Sequence, residues 1–442
     1  MRAELIENLT QQISNLQAIK PMGRVVGTEG GRIAVSGLAK HAKLGGRVSI
    51  HRKNNSNIMG EIVQIDGFQI TIMPDGNMAG LSLGSRVLQE APLSVSPCNS
   101  WLGRIIASDG TALDGRPLLK GGTTRPLRNS PPAAADRRGF GPRLATGSLA
   151  LNTVLPLVTG QRVGLFAGSG VGKSTLLATL VQNVNCDVVV VALIGERGRE
   201  LRHFTQDVLG TEGMKKCVVV ASTSDRSALE RRRCAWTAMS IAEHFRDQGK
   251  SVLYIGDSIT RFAEAHREIA AAAGELPVLR GHPPSTAHLI TELCERAGPG
   301  VDGTGDITAV LSVLVQGSDM DEPIADILRG VLDGHIVLER AIAERGRYPA
   351  IDLLKSVSRS LPEAASSDEN DIILKVRHAI SLYEQSALMI RSGLYTEGTD
   401  PDLDLSVKLW PELDKFLGQS GGMSPEHSFD MLRLVLRRAG VR

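Results

Sequence analysis

The chain has 442 residues, 42% of them hydrophobic and 22% charged, with a formal net charge of +2. That composition is globular rather than disordered, and the length exceeds one compact core, so roughly two to four domains are expected. The near-neutral balance gives no global argument for nucleic acid or for a membrane surface.

Five cysteines (Cys98, Cys186, Cys217, Cys234, Cys294) are scattered without a C-x-x-C pair and read as reduced residues of a cytosolic protein. The ten histidines show no ligand spacing, which argues against an all-protein zinc site. The longest apolar run, Val188 to Ile194, is too short to span a bilayer, and the first twenty residues lack the continuous apolar core of a secretory signal.

Residues 1–20 carry Leu5, Leu9, Ile13 and Leu16 at helical spacing, and Pro21 ends the pattern. This amphipathic helix needs a surface for its stripe, on its own chain or on a partner. Residues 21–92 change to short β-rich runs: Arg24–Val26, Arg32–Val35, Arg47–His51, Gly60–Ile65 and Gln69–Ile72. Turn signals such as Asp66-Gly67 and Asp75-Gly76 separate them, which predicts a small antiparallel barrel. Phe68 is the lone aromatic of the segment, so a role in structure or oligomerisation is preferred to base stacking. Residues 109–148 read as an extended connection, and the arginines at 125, 128, 137, 138 and 143 as a solvated or subunit-contacting surface.

From Arg162 apolar runs alternate with helical patterns. The runs are Val163–Phe166, Val188–Leu193, Cys217–Ala221, Val252–Ile255, Ile307–Val315 and Ile336–Leu338. Such alternation predicts a mostly parallel sheet with helices on both faces, within a domain spanning 93–362. After that the β signals stop. Asn370–Arg391, Lys408–Leu417 and His427–Arg438 predict a small helical domain over 363–442.

One stretch of the sheet domain carries specific chemistry. The run ending at Phe166 leads into Ala167-Gly168-Ser169-Gly170-Val171-Gly172-Lys173-Ser174-Thr175, followed by a helical pattern. This strand–loop–helix context suits a phosphate-binding loop, with Ala167 in place of the usual first glycine. Gly168, Gly170 and Gly172 let the backbone curl so that N–H groups face one anion, and the helix N-terminus adds partial positive charge. Lys173 can reach the outer phosphates of a nucleotide, and the Ser174 hydroxyl can ligand Mg²⁺. The run Val252–Ile255 ends in Gly256-Asp257, whose carboxylate suits a water-mediated hold on the same ion. The run Val188–Leu193 ends in Ile194-Gly195-Glu196-Arg197-Gly198-Arg199-Glu200. There Glu196 is placed to polarise a water for attack on a γ-phosphate and Arg197 to neutralise phosphate charge.

Taken with Gly195-Glu196-Arg197, two further stretches carry a resemblance. They are Asp257-Ser258-Ile259-Thr260-Arg261-Phe262 and Tyr348-Pro349-Ala350-Ile351-Asp352-Leu353-Leu354-Lys355-Ser356-Val357-Ser358-Arg359. Together the three resemble the rotary ATP synthase α/β family. Within it the chain is most similar to the type III export ATPases, above all the flagellum-specific ones. Ala265-His266-Arg267-Glu268-Ile269, Pro323-Ile324-Ala325-Asp326 and Asp333-Gly334-His335-Ile336-Val337-Leu338 extend that resemblance. It implies an N-terminal β-barrel, a central RecA-like P-loop α/β domain and a C-terminal helical domain. It also implies Mg²⁺-dependent ATP hydrolysis with Glu196 as catalytic carboxylate and Lys173 and the loop from Gly168 to Thr175 on the phosphates. Ser174 and Asp257 would serve Mg²⁺, Arg197 and Arg261 the γ-phosphate, and Tyr348 would stack on adenine. Arg359 would be an arginine finger inserted into a neighbour's site. The further implications are a homohexamer, a stator-like regulatory protein on residues 1–20, export substrates and chaperones, and an export gate at the inner membrane. The chain would be cytoplasmic and peripheral to that membrane.

Departures are Gly256, where relatives often carry Met, and His282 in place of a Tyr before Pro-Pro-Ser. The alternatives are an injectisome ATPase with the same chemistry, a synthase catalytic subunit, a hexameric RNA translocase, and a nucleotide-binding scaffold without turnover. Residues 363–442 lack the acidic contact segment of a synthase subunit. Sparse barrel aromatics argue against RNA, and Glu196 with Arg359 against a scaffold.

Overall fold

The computed structural model describes residues 20–52, 56–278, 280–315, 320–421 and 424–440. The amphipathic segment expected over residues 1–20 falls, except for Lys20, outside them.

Six strands form a closed antiparallel barrel: β1 (Met22–Glu29), β2 (Arg32–Ser36), β3 (Arg47–His51), β4 (Asn57–Asp66), β5 (Gln69–Pro74) and β6 (Arg86–Gln89), in the order β1-β2-β5-β4-β3-β6. Side chains alternate along the strands, and Val25, Ile33, Val35, Val48, Ile50, Ile58, Ile62, Ile70, Ile72 and Val87 fill the interior. The sequence reading missed β6, the strand that closes the barrel. Only Val87 of that four-residue strand is buried, too little alternation to register as a run. Phe68 lies at the β4–β5 hairpin and is 92% exposed, a single ring rather than a stacking platform.

A two-stranded ribbon pairs β7 (Ser94–Val95) with β9 (Arg125–Pro126), and the central sheet has eight strands in the order β16-β15-β10-β14-β13-β11-β12-β8. They are β8 (Arg104–Ala107), β10 (Arg162–Ala167), β11 (Val188–Glu196), β12 (Cys217–Thr223), β13 (Val252–Asp257), β14 (Ile307–Leu314), β15 (Gly334–Leu338) and β16 (Ile351–Ser358). All neighbours pair in parallel except β15 with β16. Near-continuous Val, Ile and Leu runs belong in strands covered on both faces, and β11 is buried from Val188 to Gly195. Two strands lay outside the expected six, β8 and β16, one at each edge.

The arginines of the 109–148 connection are solvated in part, with Arg128 and Arg138 exposed and Arg125, Arg137 and Arg143 half-buried, and each is paired within the chain. Arg125 meets Asp247 at 2.6 Å, Arg128 meets Glu292 at 2.9 Å and Arg138 meets Asp306 at 2.7 Å. Arg143 meets Glu369 at 3.0 Å, and Arg137 donates to the Ala297 carbonyl at 3.0 Å. They strap an irregular segment to the sheet domain.

The barrel docks on the helices Ala228–Arg246 and Ile259–Ala272. Ala228, Leu229, Ala265 and Ile269 pack against Val63 and Met73. Around this patch Arg232 bonds Glu61 at 2.5 Å, Arg233 bonds Asp75 at 2.9 Å, and the Ser227 hydroxyl also bonds Asp75. The helices Ser367–Arg391, Pro401–Leu417 and Pro425–Ala439 share one apolar core with a face of the sheet domain, through Val376, Leu413, Phe416, Phe429 and Leu432. Ser366 and Glu369 form a reciprocal capping box at the first of them.

The deepest charge pair is Arg296 with Glu243, each side chain 1% exposed and joined by contacts of 2.8 and 2.9 Å. Ser240 and the Leu127 carbonyl accept two more of the Arg296 hydrogen bonds at 3.0 and 2.8 Å. Removing one partner strands a buried charge. Glu243→Ala is therefore expected to lower unfolding free energy by about 3–5 kcal/mol, measured as a shift of the urea midpoint.

Candidate functional site

The carboxyl ends of β10, β14, β13 and β11 are adjacent, so whatever follows them is gathered at one edge of the sheet. After β10 the chain turns through Gly168–Gly172 into the Lys173–Asn183 helix. Gly170 (φ +77°) and Gly172 (φ +90°) are left-handed, and Gly172 caps the helix. A side chain at Gly172 would also meet Tyr348, whose ring atom Cδ1 lies 3.1 Å from the position of a Cβ there. Tyr348 thus flanks the loop, 47% exposed.

The Lys173 ammonium bonds the Asp257 carboxylate at the end of β13. Ser312 on β14 donates to the same carboxylate at 2.6 Å. Glu196, at the end of β11, is half-buried. Its carboxyl is pushed up to about 8 by burial first, then by a hydrogen bond with Glu200 and the negative charge of Asp257, while Lys173 pulls the other way. The Glu196 carbonyl accepts from the Ser224 N–H at 3.0 Å, which fixes the strand end. Arg261, on the helix capped by Ser258, donates to Glu264 at 2.7 Å and packs along Gly195, which is itself left-handed at φ +68°. Arg197 is exposed and lies 3.7 Å from Glu200.

These groups line one cleft of about 1460 Å³, shared by Gly168–Thr175, Glu196, Arg197, Asp257 and Arg261. That is room for a nucleotide triphosphate, and the cleft offers a backbone cradle, cations and one acid of raised pKa. Sequence reasoning missed Ser312, Arg231 and Arg280, which also serve or line it. A hydroxyl near the carboxyl end of the mostly apolar Ile307–Leu314 strand was the available signal for Ser312. Arg231 carried none, because it sits in a helix with other arginines and pairs with Glu268 at 2.8 Å.

For Mg²⁺ the donor set fits. Ser174, exposed on the first helical turn, and Asp257 offer hard oxygens, and Mg²⁺ takes one or two carboxylates beside substrate phosphates and water. Among the described residues no group of three or more His, Cys, Asp or Glu forms a full protein cage.

Arg359 stands apart. It is exposed and donates to the Arg329 carbonyl at 3.1 Å. Its strand β16 runs antiparallel to β15, with Ile351 beside Leu338 and Ser358 beside Gly334. Leu338 is level with Ala167, at the mouth of the loop, and Asp333 with Arg162. Tyr348 therefore enters at the loop edge and Arg359 leaves at the opposite edge, five strand residues or about 17 Å away.

An ionised carboxylate at the Glu196 position is destabilising, because its folded pKa lies above that of the unfolded chain. The folded form holds the extra proton from the ordinary carboxylate range up to about 8, so stability falls with rising pH across that window. At pH 8.5 Glu196→Gln is expected to raise the melting temperature of the nucleotide-free protein by about 1–2 °C, with little change at pH 5.

Residues 147–358 match the model of the ATP synthase alpha/beta family nucleotide-binding domain, and residues 365–433 match that of the T3SS EscN ATPase C-terminal domain. The flagellum-specific ATP synthase of Caulobacter vibrioides is 43% identical over 442 residues, covering 98% of this chain and 99% of that protein. That of Salmonella typhimurium is 39% identical over 427 residues, covering 94% and 93%. The structure of the assembled ATPase EscN from the type III secretion system of enteropathogenic E. coli superposes with a TM-score of 0.87 at 36% identity, covering 94% of this chain and all of that one. Likeness of this extent, over barrel, sheet domain and helices together, makes the chain a member of the ATP synthase α/β family, among its flagellum-specific and type III secretion ATPases.

Proposed function

We propose that the chain hydrolyses Mg²⁺–ATP as the motor of the flagellar type III export apparatus, promoting delivery of export substrates and release of their chaperones. The observation that carries the reading is the convergence of the loop, Lys173, Asp257 and Glu196 on one cleft, in a chain that resembles flagellum-specific enzymes over its whole length.

In this reading the loop N–H groups and Lys173 hold the β- and γ-phosphates, and ATP draws Lys173 away from Asp257. Mg²⁺, held by Ser174 and through water by Asp257, would neutralise phosphate charge. Glu196 takes a proton from the attacking water as its oxygen bonds to the γ-phosphorus. The bond to the bridging oxygen breaks and ADP leaves. Arg261 and Arg197 offset the charge that develops on the γ-phosphate, and the Tyr348 ring supports the adenine face.

Arg359 cannot serve its own cleft across about 17 Å of strand, so it completes the site of the next subunit. A chain with a finger at one edge and a cleft at the other assembles head to tail, and a homohexamer closes the ring. The partners we assign are a stator-like protein on residues 1–20, export substrates and chaperones, and the export gate. The chain works in the cytoplasm beside the inner membrane, and no helix among the described residues is long and apolar enough to cross one. EscN has been solved in complex with its central stalk EscO, and the EscN chain of that complex also superposes, with a TM-score of 0.84. Flagellum-specific relatives reach 44% identity and EscN 36%, which favours the flagellar role over the injectisome. RNA translocation has only one exposed barrel aromatic to support it.

Glu196 accepts a proton only when ionised. With its pKa at about 8 in the free enzyme, kcat/KM should rise about tenfold per pH unit below that value and level off above it. Glu196→Gln should lower kcat by about 10²–10⁴ and abolish the pH rise. Cells whose sole copy is Glu196→Gln should assemble few or no filaments. Normal filaments with an inactive enzyme would refute the motor role, and strong stimulation of turnover by RNA would favour the translocase.

A further inference from the structure

Tyr348 sits on a short turn between the Arg340–Glu344 helix and β16, and its ring is half exposed over the phosphate loop. Something must hold that turn. Its own neighbours are two arginines, Arg345 and Arg347, and both reach away from the cleft to the same carboxylate. Arg347 is buried, bonds Asp414 at 3.1 Å and bonds the Ile351 carbonyl at 2.6 Å, which closes the turn around Tyr348. Arg345 lies 3.6 Å from Asp414, and its guanidinium covers the Trp410 ring at 5.3 Å. Trp410 in turn stacks on Tyr383 at 4.3 Å, with the rings 11° from parallel. Asp414 and Trp410 share a face of the Pro401–Leu417 helix, and Tyr383 belongs to the helix beside it. Close approach continues at the helix end, where a Cβ on Gly418 would lie 3.3 Å from the Arg347 side chain.

We propose that Asp414 is a positioning residue for nucleotide recognition. From the C-terminal helices it holds Arg345 and Arg347, and so sets where Tyr348 stands beside the loop. Nucleotide affinity is thereby tied to the placement of the helical domain. The inference rests on the reading that Tyr348 stacks on the base, and it adds a group more than sixty residues away in sequence that touches no nucleotide.

The test is a double-mutant cycle in steady-state ATP hydrolysis by the full chain, with thermal melts to confirm folding. Loss of the ring in Tyr348→Ala should raise KM about tenfold. Asp414→Asn, with the ring present but less well held, should raise KM about threefold and leave kcat within about twofold. The double variant should be no worse than Tyr348→Ala alone, because Asp414 acts only through that ring. Asp414→Glu should recover much of the loss. Should Asp414→Asn fold poorly, Arg345→Gln enters the same cycle with the same expectation, since that side chain is partly exposed. If Tyr348→Ala keeps the wild-type KM, the base-stacking reading falls and takes this inference with it. If Tyr348→Ala behaves as expected but Asp414→Asn keeps the wild-type KM, or the two effects multiply, the tether alone is refuted.

Discussion

At the carboxyl edge of a buried parallel sheet, one ammonium and two carboxylates share one cleft. Lys173 pairs with Asp257, Ser312 donates to the same acid, and Glu196 stands beside them hydrogen-bonded to Glu200. Burial first, then that hydrogen bond and the charge of Asp257, push the Glu196 carboxyl up to about 8 against the pull of Lys173. This is also the arrangement a phosphate ligand would relieve, since the loop offers several N–H donors and a lysine already committed to the wrong partner. The sheet order follows from the same need. β10, β14, β13 and β11 are neighbours, and each delivers one part of the site from its last residues.

Much of this was legible in the sequence because it lies in contiguous stretches. Gly-rich spacing before Lys173 requires left-handed backbone, and apolar runs ending in Glu196 and Asp257 require buried strands with an acid at the tip. The barrel could be read from alternation. What escaped was whatever depended on distant partners. β16 carries buried hydroxyls at Ser356 and Ser358, so it does not read as an apolar run, and it is a strand because it pairs with β15. β8 has four residues, and its buried arginine is satisfied by Asp114 at 2.6 Å and by the Arg116 and Pro117 carbonyls. The pairing of the connecting segment's arginines does not show until their carboxylates, some more than a hundred positions later, are placed beside them. Charge patterning along a chain does not reveal such pairs.

Strand direction decides what one subunit can do alone. The antiparallel edge strand enters near the loop with Tyr348 and leaves at the far edge with Arg359, so those two side chains stand at opposite ends of the strand. The barrel and the C-terminal helices clasp the same domain from outside, the first through Arg232 and Arg233, the second through Arg143, Arg347 and a shared apolar core. Each peripheral domain is thus fastened to the sheet domain through a few named ion pairs.

The central claim is that the site is completed between subunits. The direct measurement is ATP turnover of Glu196→Gln, of Arg359→Ala and of their equimolar mixture, each across a range of protein concentration. The account predicts two nearly inactive variants and a mixture that recovers turnover, since random assortment around a ring joins an intact Glu196 to an intact neighbouring Arg359 at about a quarter of the interfaces. Activity per chain should rise with concentration. A mixture as inactive as its components, or an Arg359→Ala enzyme that turns over normally at every dilution, would contradict it.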